Sequence, residues 1–491
     1  MSEPTSSGGQ YSGFGALESF SAVLKNFDGT RAVDISNLVT EISIFEDIFK
    51  KTMYGSMQIN DAVNLLNGLS VSGSESKANG TFPIVGEEFI EFEYKVSGQD
   101  SVFKRFFVYS IKEVNIEPSQ LKRRYTVQFC SEEHLFDSTI LVQKAYKDSI
   151  DNIAKDILVN YLKVDEQQDR GKRKKKYNIQ KTKGTQQIVV PRLSPLETMD
   201  FLSKRSVAES EFNSGTFLFF ENKDGFNFCD IEHLIRLGKR KYTNSPDDYQ
   251  YYYQNPNIDK RQANKLESKD KTFKTFISFK QKHRFDTIEK LKRGYFESEV
   301  LIYDFINRRV KTNTFKFKDE YKDFNVMGSE TGQAFPENSV DFVDSVTSDK
   351  QTFWGMFNFM KDKPEKKNTK VFFIPQDSSK PETYLEDIYP RRSSYLTRMA
   401  QNMFTAEIYG DPKIAAGDVI LLNINEIVGT TNEVRQLDPY LSGYFMITSI
   451  HHKLTPESYM CVYDLYKNSY GQPIVNNDSG KTFESSKPFT F

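Results

Sequence analysis

Apolar and polar residues alternate over short stretches early in the chain. Glu88 to Val96 reads EFIEFEYKV, in which Ile90, Phe92, Tyr94 and Val96 are separated by Glu91, Glu93 and Lys95. A period of two puts the apolar set on one face of a pleated strand and the charges on the other. Tyr125, Val127 and Phe129 alternate in the same way with Arg124, Thr126 and Gln128, and VFKRFFVYSIKEV (102–114) predicts a strand pair or one long strand. Residues 17–140 are expected to form a first β domain, preceded by a Ser/Gly-rich tail at 1–16.

The period then changes. Ile150, Ile153, Ala154, Ile157, Leu158, Tyr161 and Leu162 have helical spacing. Ser194-Pro195-Leu196-Glu197 is a capping box with proline at the first helical position, so a second helix is expected from 195. Residues 215–234 predict a hairpin turning at Asn222-Lys223-Asp224-Gly225, because Asp-Gly favours tight turns. Residues 141–237 thus read as a middle α+β domain with a basic loop at 165–187. That loop carries Arg170, Lys172 to Lys176, Lys181 and Lys183. Residues 238–293 read as a polar insertion or connector, and 294–470 as a second β domain interrupted by a polar insertion at 325–392. Such long polar stretches predict disordered or partner-binding loops. Within the second domain, Val419 to Ile424, YFMITSIHHKL (444–454) and YMCVYDLY (459–466) read as strands. The last of these is apolar on both faces, which suits a strand covered on both sides or at a subunit interface. Residues 471–491 form a C-terminal tail.

Composition strengthens the β reading. Phe 41 and Tyr 26 against one Trp favour half-buried sheet, where aromatic rings pack across strands. Lys+Arg 66 against Asp+Glu 67 gives a net charge of −1 and no global field for nucleic acid or an anionic membrane. Cys130, Cys229 and Cys461 lie far apart among apolar neighbours. They are read as small buried hydrophobes of a reducing compartment rather than as a disulfide or zinc framework. The N-terminus has no basic flank followed by an apolar segment, so no signal peptide is expected, and no apolar run has the length to span a bilayer.

A search for chemistry finds little. The sequence has no GxSxG elbow, no GxxxxGK phosphate loop and no HExxH. His451-His452 lies in a strand, where neighbours face opposite sides and do not chelate one metal together. Ser74-Glu75-Ser76-Lys77 matches SxxK, but in a Ser/Gly/Asn loop rather than at a helix start. Carboxylate pairs such as Asp247-Asp248 or Glu91/Glu93 are expected by chance among 67 acids. The basic run holds a single aromatic, Tyr177, and reads as a solvated or partner-facing loop rather than a single-strand binder. No catalytic, cofactor-binding or metal residues are assigned, and no cofactor is expected.

One pattern resembles a known family. Gly410-Asp411-Pro412, then Gly417-Asp418-Val419, then Ser442-Gly443-Tyr444 through His451-His452 and the returning YMCVYDLYKNS resemble the second barrel of contractile-tail baseplate hubs. That family includes the hub part of type VI secretion spike proteins. Residues 28–66, 123–140, 189–234 and 294–324 resemble its other segments in the same order. The resemblance implies a mainly β chain with two tube-like β-barrel domains, 17–140 and 294–470, around the middle α+β domain. Its motif residues would be Gly410, Asp411, Pro412, Gly417, Asp418, Gly443, Tyr444 and His452. It further implies a pseudo-sixfold homotrimer at the tail baseplate of a virion, assembled in the host cytoplasm. That trimer would join a sixfold tail tube or tube-initiator hexamer to a threefold central spike and enclose a channel for the genome. Wedge proteins would meet the insertions, and neither a membrane nor specific nucleic-acid binding is expected.

Other readings stay open. A related injection particle would use the same hub. A tail-associated cell-wall hydrolase would lose lysis on one acid substitution, and a receptor-binding protein would bind cells or glycans. No β-helix or lysozyme sequence follows the last strand, which favours a phage hub with a separate spike.

Overall fold

The computed structural model describes residues 15–67, 82–117, 122–164, 175–209, 214–253, 273–284, 286–317, 327, 370–377, 383–425, 437–438 and 441–468. These residues are mainly β, in large antiparallel sheets. The first block contains β1 (Leu17–Lys25), β2 (Ala32–Asp34), β3 (Val39–Asp47), β4 (Tyr54–Asp61), β5 (Phe89–Val96), β6 (Val102–Glu117) and β7 (Lys122–Cys130). Alternation sets its faces as expected: Ile90, Phe92, Tyr94, Val96, Tyr125, Val127 and Phe129 are buried, while Glu93 is exposed. Residues 102–117 form one long strand rather than a pair. Its pairing with β7 shifts register twice, and Glu113 sits at φ 56 in the second irregularity.

The middle region contains α1 (Glu132–Thr139), β8 (Ala145–Asp148), α2 (Ile150–Asp156), β9 (Lys176–Ile179), β10 (Gln186–Val189), α3 (Pro195–Ser203), β11 (Phe217–Asn222), β12 (Gly225–Asp230) and α4 (Ile231–Asn244). A wider helical turn, Ile157–Tyr161, continues α2. Ser194 caps α3 through the Glu197 amide while the Glu197 side chain answers the Ser194 amide. The turn between β11 and β12 pairs Asn222 with Gly225, and Gly225 adopts φ 128. These elements build their own core around Ile153, Leu158, Met199, Phe217 and Phe228.

The rest follows as α5 (Pro246–Tyr249), β13 (Gln250–Tyr253), β14 (Ser278–His283), α6 (Thr287–Lys292), β15 (Glu297–Asp304), β16 (Arg309–Lys316), β17 (Val371–Gln376), α7 (Leu385–Gln401), β18 (Met403–Tyr409), β19 (Val419–Ile424), β20 (Gly443–Leu454) and β21 (Tyr459–Tyr466).

The two β blocks are not separate closed barrels. One thirteen-stranded sheet runs β14-β18-β21-β20-β3-β4-β7-β6-β5-β1-β2, with β19 beside β20 and β13 beside β19, and it does not close among the described residues. The length of β20 explains the fusion. Its first half pairs with β19, its second half outruns β19 and pairs with β3, and β21 covers its other edge. Ile42, Ile44, Phe92 and Phe129 therefore share one core with Ile420, Phe445, Ile450 and Tyr463. The sheet curls until Ala16 at the start of β1 bridges to Ser458 in the β20–β21 turn.

Several stretches read as polar insertions contribute strands. Within 238–293, β13 runs parallel to β19 and β14 pairs with β18. The basic stretch 165–187 supplies β9, parallel to β12, and the start of β10; residues 165–174 lie outside the described residues. Of 325–392, the described part holds β17 and the first half of α7. β17 joins β15 and β16 in a separate three-stranded sheet, so this portion of the expected second barrel stands apart from it. The two tails and the SxxK loop at 74–77 also lie outside the described residues, apart from Gly15 and Ala16 at the end of the first tail.

Candidate functional site at the seam of the two blocks

The family-like motif residues do not converge on one pocket. They hold turns and join strands. Gly410 follows β18, and its N–H donates to the Tyr459 carbonyl at 2.9 Å. A Cβ there would lie 2.1 Å from a ring carbon of Tyr459, so only glycine lets the backbone pass beneath that ring. Asp411 is buried, and its carboxylate accepts from the Lys413 amide (3.0 Å) and the Tyr251 hydroxyl (3.1 Å), with Lys274 Nζ at 3.3 Å. Pro412 lines a cleft described below.

Gly417 adopts φ 96, in the left-handed region that favours glycine, and donates to the Ile447 carbonyl at 2.8 Å. Asp418 accepts from the Ala415 amide at 3.0 Å and pairs with Lys241 of α4 at 2.5 Å. Burial raises its carboxyl above the usual range, although Lys241 pulls the other way. This turn anchors the start of β19 to both β20 and α4. Gly443 opens β20 at φ 131, and Tyr444 meets Tyr242 of α4 edge-on at 5.5 Å. Burial pushes the Tyr444 hydroxyl up to about 12.

His451 and His452 do point to opposite sides. His451 stacks on Phe45 at 4.3 Å, and its Nε2 lies 3.0 Å from Ser43 Oγ. Burial, Lys453 and His452 push it down to about 4. His452 is buried in the shared core. Its Nδ1 lies 2.8 Å from the Tyr459 hydroxyl and 3.5 Å from Cys461 Sγ, and its Nε2 faces Glu46 of β3 at 3.4 Å. Burial pushes His452 down, but Cys461 and Glu46 outweigh it and lift it to about 9. Burial likewise pushes Glu46 up, and His452 together with Lys104 and the Ala416 amide brings it to about 2. The Ala416 N–H donates to Glu46 at 3.2 Å. A polar chain thus runs from the Gly417-Asp418 turn through Ala416, Glu46, His452 and Tyr459 to Gly410.

Sequence reasoning missed Glu46, which reads as a surface acid within ISIFED. It also missed a second cluster. Glu221 accepts from the Met53 amide (2.9 Å) and the Ser131 hydroxyl (2.5 Å), and Lys175 bridges Glu221 (2.8 Å) to Glu133. Burial raises Glu133 against the pull of Lys175. The cluster borders a cleft of about 350 Å³ between β6, the start of α1, the 222–225 turn and Pro412. Lys175 belongs to the run read as solvated, yet it neutralises two buried acids. The cysteines are buried and unpaired, and among the described residues no three His, Cys, Asp or Glu side chains gather to hold a metal.

No family model and no curated protein matches the sequence. Solved structures do resemble it. The tail protein from Neisseria meningitidis MC58 is 9% identical, with 92% of this chain and 97% of that chain covered and a TM-score of 0.47. The 43 kDa tail protein of prophage MuSo2 from Shewanella oneidensis is 10% identical, with 91% and 97% covered and a TM-score of 0.46. A chain of the Francisella PdpA-VgrG complex is 10% identical, with 97% of this chain but 60% of that one covered and a TM-score of 0.43.

Proposed function

We propose that this chain is the structural hub of a contractile phage-tail baseplate, a homotrimer that adapts a sixfold tail tube to a threefold spike and carries no catalytic activity. The ordered motif resemblance supports the reading. The observation that carries it is the β20–β3 pairing, which fuses two β blocks into one body with one core. Three such bodies offer six β blocks around an axis, and heterologous contacts between them close a ring. The tube or its initiator hexamer and the central spike are the partners; wedge proteins meet the outer surfaces.

The polar face of β1, β5 and β6 suits a channel wall. Glu91 pairs with Lys25 at 2.6 Å and lies 3.9 Å from Arg105, Lys95 pairs with Glu18 at 2.6 Å, and Glu93 accepts from Ser101 at 2.7 Å. Three acids there balance three bases, which leaves passing DNA without a strong attraction. Gold labelling of a tag at the N-terminus in intact particles tests the reading. Label on the tail axis at the baseplate is the expected result, and label on peripheral fibres overturns it.

A further inference from the structure

Neighbouring strand residues face opposite sides, so adjacent histidines can hold a partner strand from both faces at once. β20 uses His451-His452 in this way on β3. The ladder between them is short, from Asp47 opposite Ser449 to Ile42 opposite Leu454. Its core side otherwise carries only aliphatic residues, Ile42 and Ile44 on β3 and Ile450 and Leu454 on β20, with Ile42 opposite Leu454. A slip of one residue would turn the buried set outward, but a slip of two leaves that set on the core side and puts Ile44 opposite Ile450 or Leu454, so the pattern resists it weakly.

The polar contacts supply the missing discrimination, one direction each. In the native register Glu46 is opposite Ile450, and His452 is its diagonal neighbour. A two-residue slip that puts Glu46 opposite Thr448 moves His452 out of its reach and leaves two buried ionisable groups unpaired. The opposite slip puts His451 opposite Asp47, taking it off Phe45 and beyond Ser43. Glu46 is also fixed from outside the ladder by the Ala416 N–H.

We infer that His451-His452 is a two-sided register clamp, in which Glu46 on the core side and Phe45 with Ser43 on the outer side lock the second β block onto the first. The three partners are positioning residues. Buried polar groups fix helix register in coiled coils at some cost in stability, and here the cost falls where β3 pairs with β20. The inference concerns the joint alone and stands whether or not the chain is a hub.

Disulfide trapping in the full-length chain tests it. Asp47→Cys with Ser449→Cys reports the native register, and Glu41→Cys with Lys453→Cys reports the slip that the core side opposes. In the native background only the first pair should close, because bridged cysteines need Cα atoms within about 7 Å. Adding Glu46→Leu with His452→Leu should let the second pair close. A folded Leu/Leu chain that still closes only the native pair overturns the clamp. If that chain does not fold, Glu46→Gln serves in its place. Amide exchange over 449–454 should then rise about tenfold or more with β4 and β7 unchanged, since a loosened seam opens locally. An equal rise in all three strands, or none, overturns the inference.

Discussion

Two glycines of the motif are required for different reasons, and substitution separates them. Gly410 has ordinary backbone angles but no room, since a Cβ would strike the Tyr459 ring. Gly417 has room, with its nearest side-chain atom at 3.4 Å from a Cβ, but lies at φ 96. Gly410→Ala should destabilise by about 1–3 kcal/mol through overpacking. Gly417→Val should cost about 1–3 kcal/mol through backbone strain. Thermal unfolding checks both, and an unchanged melting temperature in either would show that its stated cause is wrong. The seam also predicts a pH profile. The folded value of His452, about 9, lies above its ordinary 6.5, so its stabilisation is complete below 6.5 and lost as pH rises through 9. Glu46, at about 2 against 4.5, stabilises fully above 4.5 and loses that contribution as pH falls through 2. His451 is held down at about 4, so protonation of the unfolded chain destabilises the fold progressively below 6.5. Denaturant titrations should show His452→Gln flattening the decline between 6.5 and 9. A wild-type decline that persists unchanged in the variant would contradict the pairing.

Elements with local signals were legible in sequence, and those set by distant partners were not. Alternation at Ile90 to Val96, the 194–197 capping box and the Asp-Gly turn each depend on a few consecutive residues. β14 reads SFKQKH with mostly exposed side chains, and an edge strand of that kind has no apolar period to detect. β13 and β9 are four-residue strands held by parallel neighbours far along the chain. The β3–β20 joint links residues some 400 positions apart, so neither the fusion nor the burial of Glu46 could be seen in either segment alone. Two element-scale substitutions follow. Ser194→Ala removes the cap of α3 and should cost about 1 kcal/mol in denaturant unfolding. Lys175→Met should cost more, near the lower end of the about 3–5 kcal/mol for a broken buried pair, because a third of the lysine reaches solvent. A loss at Lys175 no greater than at Ser194 would mean that Glu133 and Glu221 find other partners.

At the scale of the molecule, β20 joins two β blocks into one sheet with a shared core. The proposed hub requires the two blocks to present similar surfaces to one ring, because that is what matching threefold to sixfold symmetry takes. None of the helices among the described residues is long and apolar enough to cross a membrane. Reconstruction of the intact particle by electron cryo-microscopy would show whether a threefold hub of this chain sits on the tail axis. Three copies around the axis between tube and spike, six β blocks in one ring, and the Glu18, Glu91 and Glu93 face toward the channel are the expected result. A monomer or dimer of this chain at the baseplate periphery would contradict it.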